Sequence, residues 1–141
     1  MKKLLFTLLL LTSSSVFAQN YYDWPITRVI DGDTVGVQAA WLPDPLKKEL
    51  SVRIFGVDTP EKGHRAGCPE EAARGLAATE FTKKAILSSK QRVIMLKGWD
   101  KYGGRVLGDV ILDGQSLRAL LITNGFAREY YGEAKTSWCG K

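Results

Sequence analysis

Asp58 and Glu61 stand three positions apart in Val57-Asp58-Thr59-Pro60-Glu61, with a proline fixing the backbone between them. The run before them, Val52 to Phe55, is apolar apart from Arg53, so it reads as a strand that gives way to a loop at the acids. Reachable carboxylates at the end of a rigid strand suit a metal ion or a reacting phosphate. Taken alone, the five residues fit an ordinary turn with solvated acids at least as well. A second acidic turn, Asp31-Gly32-Asp33, lies upstream, and its glycine permits a bend sharp enough to direct a carboxylate toward a site. Arg53 in an apolar strand is costly unless its guanidinium meets an anion or water. Arg105 follows Gly103-Gly104, whose missing side chains let a ligand approach closely.

Charge narrows the chemistry. Asp33, Asp58 and Glu61 carry three negative charges, Arg53 and Arg105 two positive ones. Gathered together, the acids raise one another's pKa values unless a cation joins them. One divalent ion and one phosphodiester bring the sum to zero, although structural salt bridges would balance most of it too. The available ligands are carboxylate and carbonyl oxygens. The single histidine, His64, reads as a surface loop residue, and the two cysteines are expected to be oxidised. That composition excludes a standard zinc cage and favours Ca2+ over Mg2+ at an irregular, loop-built site, with no EF-hand spacing present.

Three blocks of the chain then resemble the signature blocks of the staphylococcal nuclease (thermonuclease) family. They are Val29-Ile30-Asp31-Gly32-Asp33-Thr34-Val35, Arg53 with Val57-Asp58-Thr59-Pro60-Glu61, and Asp100-Lys101-Tyr102-Gly103 with Arg105. Glu80-Phe81-Thr82-Lys83-Lys84 is similar to that family as well, and the likeness covers roughly Ile26 to Tyr130. The resemblance implies an OB-type barrel carrying a Ca2+-dependent nuclease that cuts DNA and RNA with little sequence preference and leaves 3′-phosphate ends. Carried over, Asp33 and Asp58 are metal ligands together with the Thr59 carbonyl, and Glu61 positions or deprotonates the attacking water. Arg53 and Arg105 clamp the phosphate, a task that suits the planar two-pronged guanidinium. Lys101 and Tyr102 are candidates to hold a neighbouring phosphate, and Tyr130 or Tyr131 to stack on a base. The rival readings are a non-catalytic OB-type module that binds nucleic acid or protein, and a small exported domain whose acids hold a stabilising ion. The set of three acids and two arginines favours the enzyme, because a binding module has no need of a glutamate base beside a metal site.

The elements that must position these residues can be read from periodicity and turn chemistry. Ile26 to Ala40 reads as two strand segments kinked at Asp31-Gly32-Asp33, Trp41 to Lys48 as a loop, and Glu49 to Val57 as the next strand. After the basic loop Lys62 to Gly67, Pro69-Glu70-Glu71 opens a helix to about Ser88. Ala73, Ala77, Phe81 and Ala85, with Leu76 beside them, are expected to form its buried ridge. Strands over Gln91 to Lys97 and Arg105 to Leu112 follow, then a helix over Ser116 to Thr123, a short strand within Phe126 to Tyr131, and a tail. This order predicts an α+β fold, a five-stranded OB-type β-barrel with two to three helices packed against it.

The N-terminus reads as an export signal, Met1 to Ala18: Lys2 and Lys3, an apolar run from Leu4 to Leu11, and Val16 and Ala18 before the cleavage point. The run is shorter than the ~20 residues a membrane span requires. Its removal leaves 123 residues, 19–141, as one nuclease-like domain, and lowers the formal charge from +5 to +3. That charge permits attraction to a polyanion without demanding it. A secreted or periplasmic monomer is expected, free of membrane, with DNA and RNA as substrates. In such a chain Cys68 and Cys139 allow one internal disulfide, the alternatives being free thiols or pairing between molecules. The bridge would fasten Gly132 to Lys141 back near the Cys68 loop.

Overall fold

A computed structural model describes residues 20–140, so the expected signal, Met1 to Ala18, lies outside the described residues. The chain forms β1 (Tyr21–Tyr22), β2 (Ile26–Asp31), β3 (Thr34–Gln38), β4 (Glu49–Ile54) and the short β5 (Val57–Asp58). A single 3-10 turn at Gly63–Arg65 precedes helix α1 (Pro69–Ser88). Then come β6 (Arg92–Trp99), β7 (Arg105–Leu112), β8 (Gln115–Ser116), helix α2 (Leu117–Thr123) and β9 (Arg128–Glu129). Among the described residues no helix is long and apolar enough to cross a membrane.

The main sheet runs β1-β6-β7-β4-β3-β2, with β8 beside β7. Only the β4–β7 pairing is parallel; the others are antiparallel. The two ends of this path, β1 and β2, are separated in the chain by Asp23, Trp24 and Pro25 alone. A link of three residues draws the two edges of the sheet together, as an OB-type α+β fold requires. Strict alternation along β4 buries Leu50, Val52 and Ile54 in the core and turns Arg53 to the other face, as its sequence predicts. Val35, Val37, Ile94, Val110, Leu117 and Leu121 complete the fully buried centre. Asp109, buried on β7, accepts hydrogen bonds from the Arg118 and Val110 N–H groups and the Ser116 hydroxyl, which seats α2 on the sheet. Burial pushes its carboxyl above the usual range, against the pull of those donors.

Two expectations need correction. The strand expected over Glu49 to Val57 breaks at Gly56, whose φ of 70° belongs to the left-handed region, and β5 pairs instead with β9 in a separate small ladder. The helix ridge is also different. Ala73 and Ala77 are exposed, as is Leu76, and the buried face of α1 is Glu71, Gly75, Ala78, Thr79, Thr82 and Ile86. Phe81 and Ala85 keep partial contact with the core, Phe81 stacking on Phe126 at 4.5 Å. The reason is what α1 packs on. Much of its inner face meets two polypeptide loops, and close approach of backbones selects small and hydroxylated residues over large apolar ones.

Cys68 and Cys139 are joined in a disulfide that closes 71 positions of sequence. On the chain-entropy model a loop of this size is worth about 4 kcal/mol. Reduction should therefore lower the unfolding free energy by about that amount in urea titrations. A difference within about 1 kcal/mol would show that the bridge contributes little to global stability.

Candidate active site

Helix α1 is the plate on which both acidic loops are mounted. A Cβ on Gly75 would lie 2.3 Å from the Glu61 carbonyl oxygen, so only glycine lets the Asp58–Glu61 loop sit this close. The Glu61 N–H donates to Glu71 Oε1 at 3.1 Å, and Glu71 Oε2 accepts from the Gly67 N–H at 2.8 Å. The Asp31-Gly32-Asp33 turn is held one helical turn further on. A Cβ on Gly32 would lie 2.8 Å from Ala78 Cβ, and the Thr82 hydroxyl donates to the Gly32 carbonyl at 2.6 Å. The loops meet directly too, through the Thr59 N–H donating to Asp33 Oδ2 at 3.2 Å.

Asp33, Asp58 and Thr59 are all buried. Arg53 reaches from β4 between the two acids, with Nη1 3.0 Å from Asp33 Oδ1 and Nη2 3.9 Å from Asp58 Oδ1. Thus the arginine expected to be costly in an apolar strand has found its anions. Glu61 is about a third exposed, its carboxylate 3.4 Å from Arg65 Nε and 3.9 Å from Lys135 Nζ. Among the described residues, Asp33, Asp58 and Glu61 do not gather within 4.8 Å of one another as a trio. The group that does is Cys68, Glu71 and Cys139, whose oxidised sulfurs offer no thiolate ligand.

A cleft of about 510 Å³ opens over Asp33 and Thr59 and is walled by both arginines, Glu61, Lys101, Tyr102 and Tyr130. Despite the preceding glycines, Arg105 points into the same cleft as Arg53 and is tied to buried Asp100 at 2.5 Å. Tyr102 is 75 % exposed on the rim, within 5.0 Å of the Lys101 ammonium. Asp58 is set back on the wall of a second hollow of about 340 Å³, shared with Thr59, Glu61, Lys135 and Trp138. Asp31, the other acid of the first turn, lines the same cleft and accepts from Arg65 at 2.9 Å. His64 is exposed in the 3-10 turn.

Oxygen donors from two loops fit a hard divalent cation. The most telling atom is Asp58 Oδ1, which is buried and faces only positively charged groups. Lys135 Nζ lies 2.6 Å away in an ion pair, and Arg53 Nη2 approaches the same oxygen at 3.9 Å. The two basic groups supply this buried oxygen with the positive charge it needs, and a divalent ion held by Asp33, Asp58 and the Thr59 carbonyl would supply the same charge. Burial lowers the Lys135 pKa, but the neighbouring Asp58 carboxylate more than offsets this and leaves it raised, so the ammonium stays charged.

Sequence reasoning missed Glu71, Asp100, Lys135 and Trp138. The last two lie in the segment read as a tail. Cys139 was the signal for them: a bridge to Cys68, seven positions beyond Glu61, must carry its neighbours to the site.

Comparison with known proteins agrees with this geometry. The chain is 31% identical over 121 residues to endonuclease YhcR of Bacillus subtilis (strain 168), covering 81% of this chain and 9% of the relative. It is 35% identical over 108 residues to endonuclease YncB of the same organism, covering 75% of this chain and 47% of the relative. With the SPbeta prophage-derived endonuclease YokF it shares 33% identity over 111 residues, 77% of this chain and 34% of the relative. The chain thus spans less than half the length of each of these relatives. The family described as staphylococcal nuclease homologue matches residues 51–138, from the strand of Arg53 through Asp58, Glu61 and Arg105 to Trp138. With that match covering more than half of the sequence, the chain belongs to the staphylococcal nuclease homologue family.

Proposed function

We propose that this protein is a Ca2+-dependent, sugar-nonspecific nuclease that hydrolyses DNA and RNA and leaves 3′-phosphate ends. The observation that carries the reading is one cleft lined by two arginines, Glu61 and the buried Asp33, with buried Asp58 set behind it within 3.9 Å of the same Arg53 that pairs with Asp33. Asp33, Asp58 and the Thr59 carbonyl are the residues that would hold the ion. When bound, Ca2+ supplies charge to a phosphate oxygen and to the attacking water. Arg53 and Arg105 bind the phosphate and meet the negative charge that grows on it. Glu61 holds the water in line and can accept its proton as the bond to the 5′ oxygen breaks. Lys101, Tyr102 and Tyr130 extend the binding surface along the polynucleotide. The reading includes export to the periplasm or medium and action as a monomer.

The test is release of acid-soluble nucleotides from DNA and from RNA, with and without a calcium chelator. Release from both that stops on chelation is the expected result. Tight binding of the polynucleotide without cleavage at any calcium level would replace the enzyme with a binding module. Arg105→Ala should lower turnover about 10²- to 10³-fold with a smaller effect on KM, because the charge it meets develops in the transition state. A variant that raised KM alone would move Arg105 from catalysis to ground-state binding.

A further inference from the structure

The C-terminal segment reaches back into the acidic floor. The Trp138 indole N–H donates to Asp58 Oδ2 at 3.0 Å, across 80 positions of sequence. Two anchors hold the indole there. Arg128, whose strand residue pairs with Asp58, stacks on the ring at 3.6 Å and donates to the Thr136 and Ser137 carbonyls. The next residue, Cys139, is bonded to Cys68, the N-cap of the helix that carries Glu71 and Gly75. The ring is therefore located by the same helix that locates the acid loop.

An indole N–H is a donor only, so it can orient a carboxylate without competing to accept or to ligate. Its bond to Oδ2 fixes the carboxylate plane and turns Oδ1 toward Lys135 and Arg53, the oxygen that already faces positive charge. Anchoring the segment does not require this bond, because the disulfide and the Arg128 stack already do that. We propose that Trp138 is a positioning residue of the cation site, acting through Asp58 and held in place by the Cys68–Cys139 bridge. The inference rests on the calcium reading above.

The experiment is calorimetric titration of the substrate-free protein with Ca2+, for the parent, Trp138→Phe and Asp58→Asn, alongside thermal unfolding without calcium. Phenylalanine keeps an aromatic face for Arg128 and removes the donor. Loss of a hydrogen bond that orients a ligand typically weakens a metal about 10- to 100-fold. Trp138→Phe should therefore raise the calcium Kd at least about tenfold while the calcium-free Tm holds within about 2 °C. An unchanged Kd overturns the proposal, and a lowered Tm with an unchanged Kd reduces Trp138 to a staple for the segment. A parent that binds no calcium, like Asp58→Asn, removes the calcium reading and this inference with it; a parent that binds while Trp138→Phe binds equally well removes only the inference.

Discussion

Glu61→Gln is expected to lower the rate of DNA hydrolysis by about 10²- to 10⁴-fold, the usual contribution of a positioned general base. Glutamine has nearly the same shape, so the loop should keep its place. The contact that fixes it is the backbone N–H of residue 61 on Glu71, which the substitution leaves intact. The substitution removes two ion pairs, with Arg65 at 3.4 Å and with Lys135 at 3.9 Å, both partly exposed. Such pairs contribute at most about 1 kcal/mol, so stability should change little. Calcium affinity, which the proposed reading assigns to Asp33, Asp58 and Thr59, should largely persist. Single-turnover rates on a fixed DNA duplex, with calcium titration as the control, separate these effects. If Glu61→Gln cut DNA as fast as the parent, the water would have to be activated elsewhere.

Arg53→Met acts on two levels. Arg53 is a phosphate clamp in the proposed reaction, and its loss should cost at least about 10²-fold in turnover. It is also the counter-charge between Asp33 and Asp58, with its own side chain 17% exposed and those of the acids 4% and 7%. Removing one partner from a buried ion pair typically destabilises by about 3–5 kcal/mol, because the remaining charge has no compensation. The calcium-free variant should therefore unfold at markedly lower urea concentration than the parent. Calcium should restore part of the loss, since a ligand at 100 times its Kd adds about 2.7 kcal/mol. In the proposed site it would also replace the missing positive charge between the acids. Equal stability of variant and parent without calcium would mean that the Arg53 bridge does not hold the loops together. Calcium giving the variant no stabilisation would place the ion away from Asp33 and Asp58.

Much of the candidate site was legible because its residues break local rules. Arg53 is conspicuous in a run of apolar residues, Asp33 follows a glycine at a turn, and Asp58 and Glu61 flank a proline. Such departures cost free energy locally, and a site is one way to offset it. The face of α1 was misread for the opposite reason. Alanines and leucine at helical spacing look like a core stripe, yet Leu76 is 56% exposed while Thr82 is fully buried. Apolar periodicity assumes an apolar surface opposite, and α1 lies against loop backbone, where glycine, alanine and hydrogen-bonded threonine fit better.

The composition and order of residues determined which groups are available: hard oxygen ligands, a glutamate and two guanidinium groups, on strands and turns dictated by alternation, glycine and proline. These are properties of short stretches, expressed over a few residues. Which of them share one space was decided only by tertiary structure. The Asp33 turn and the Asp58 loop are brought together by a helix that follows both of them in the chain, and Trp138 reaches Asp58 from 80 positions away through a disulfide. No local pattern encodes such meetings, because they depend on backbone approach distances and chain closure that exist only once the sheet and helix have packed.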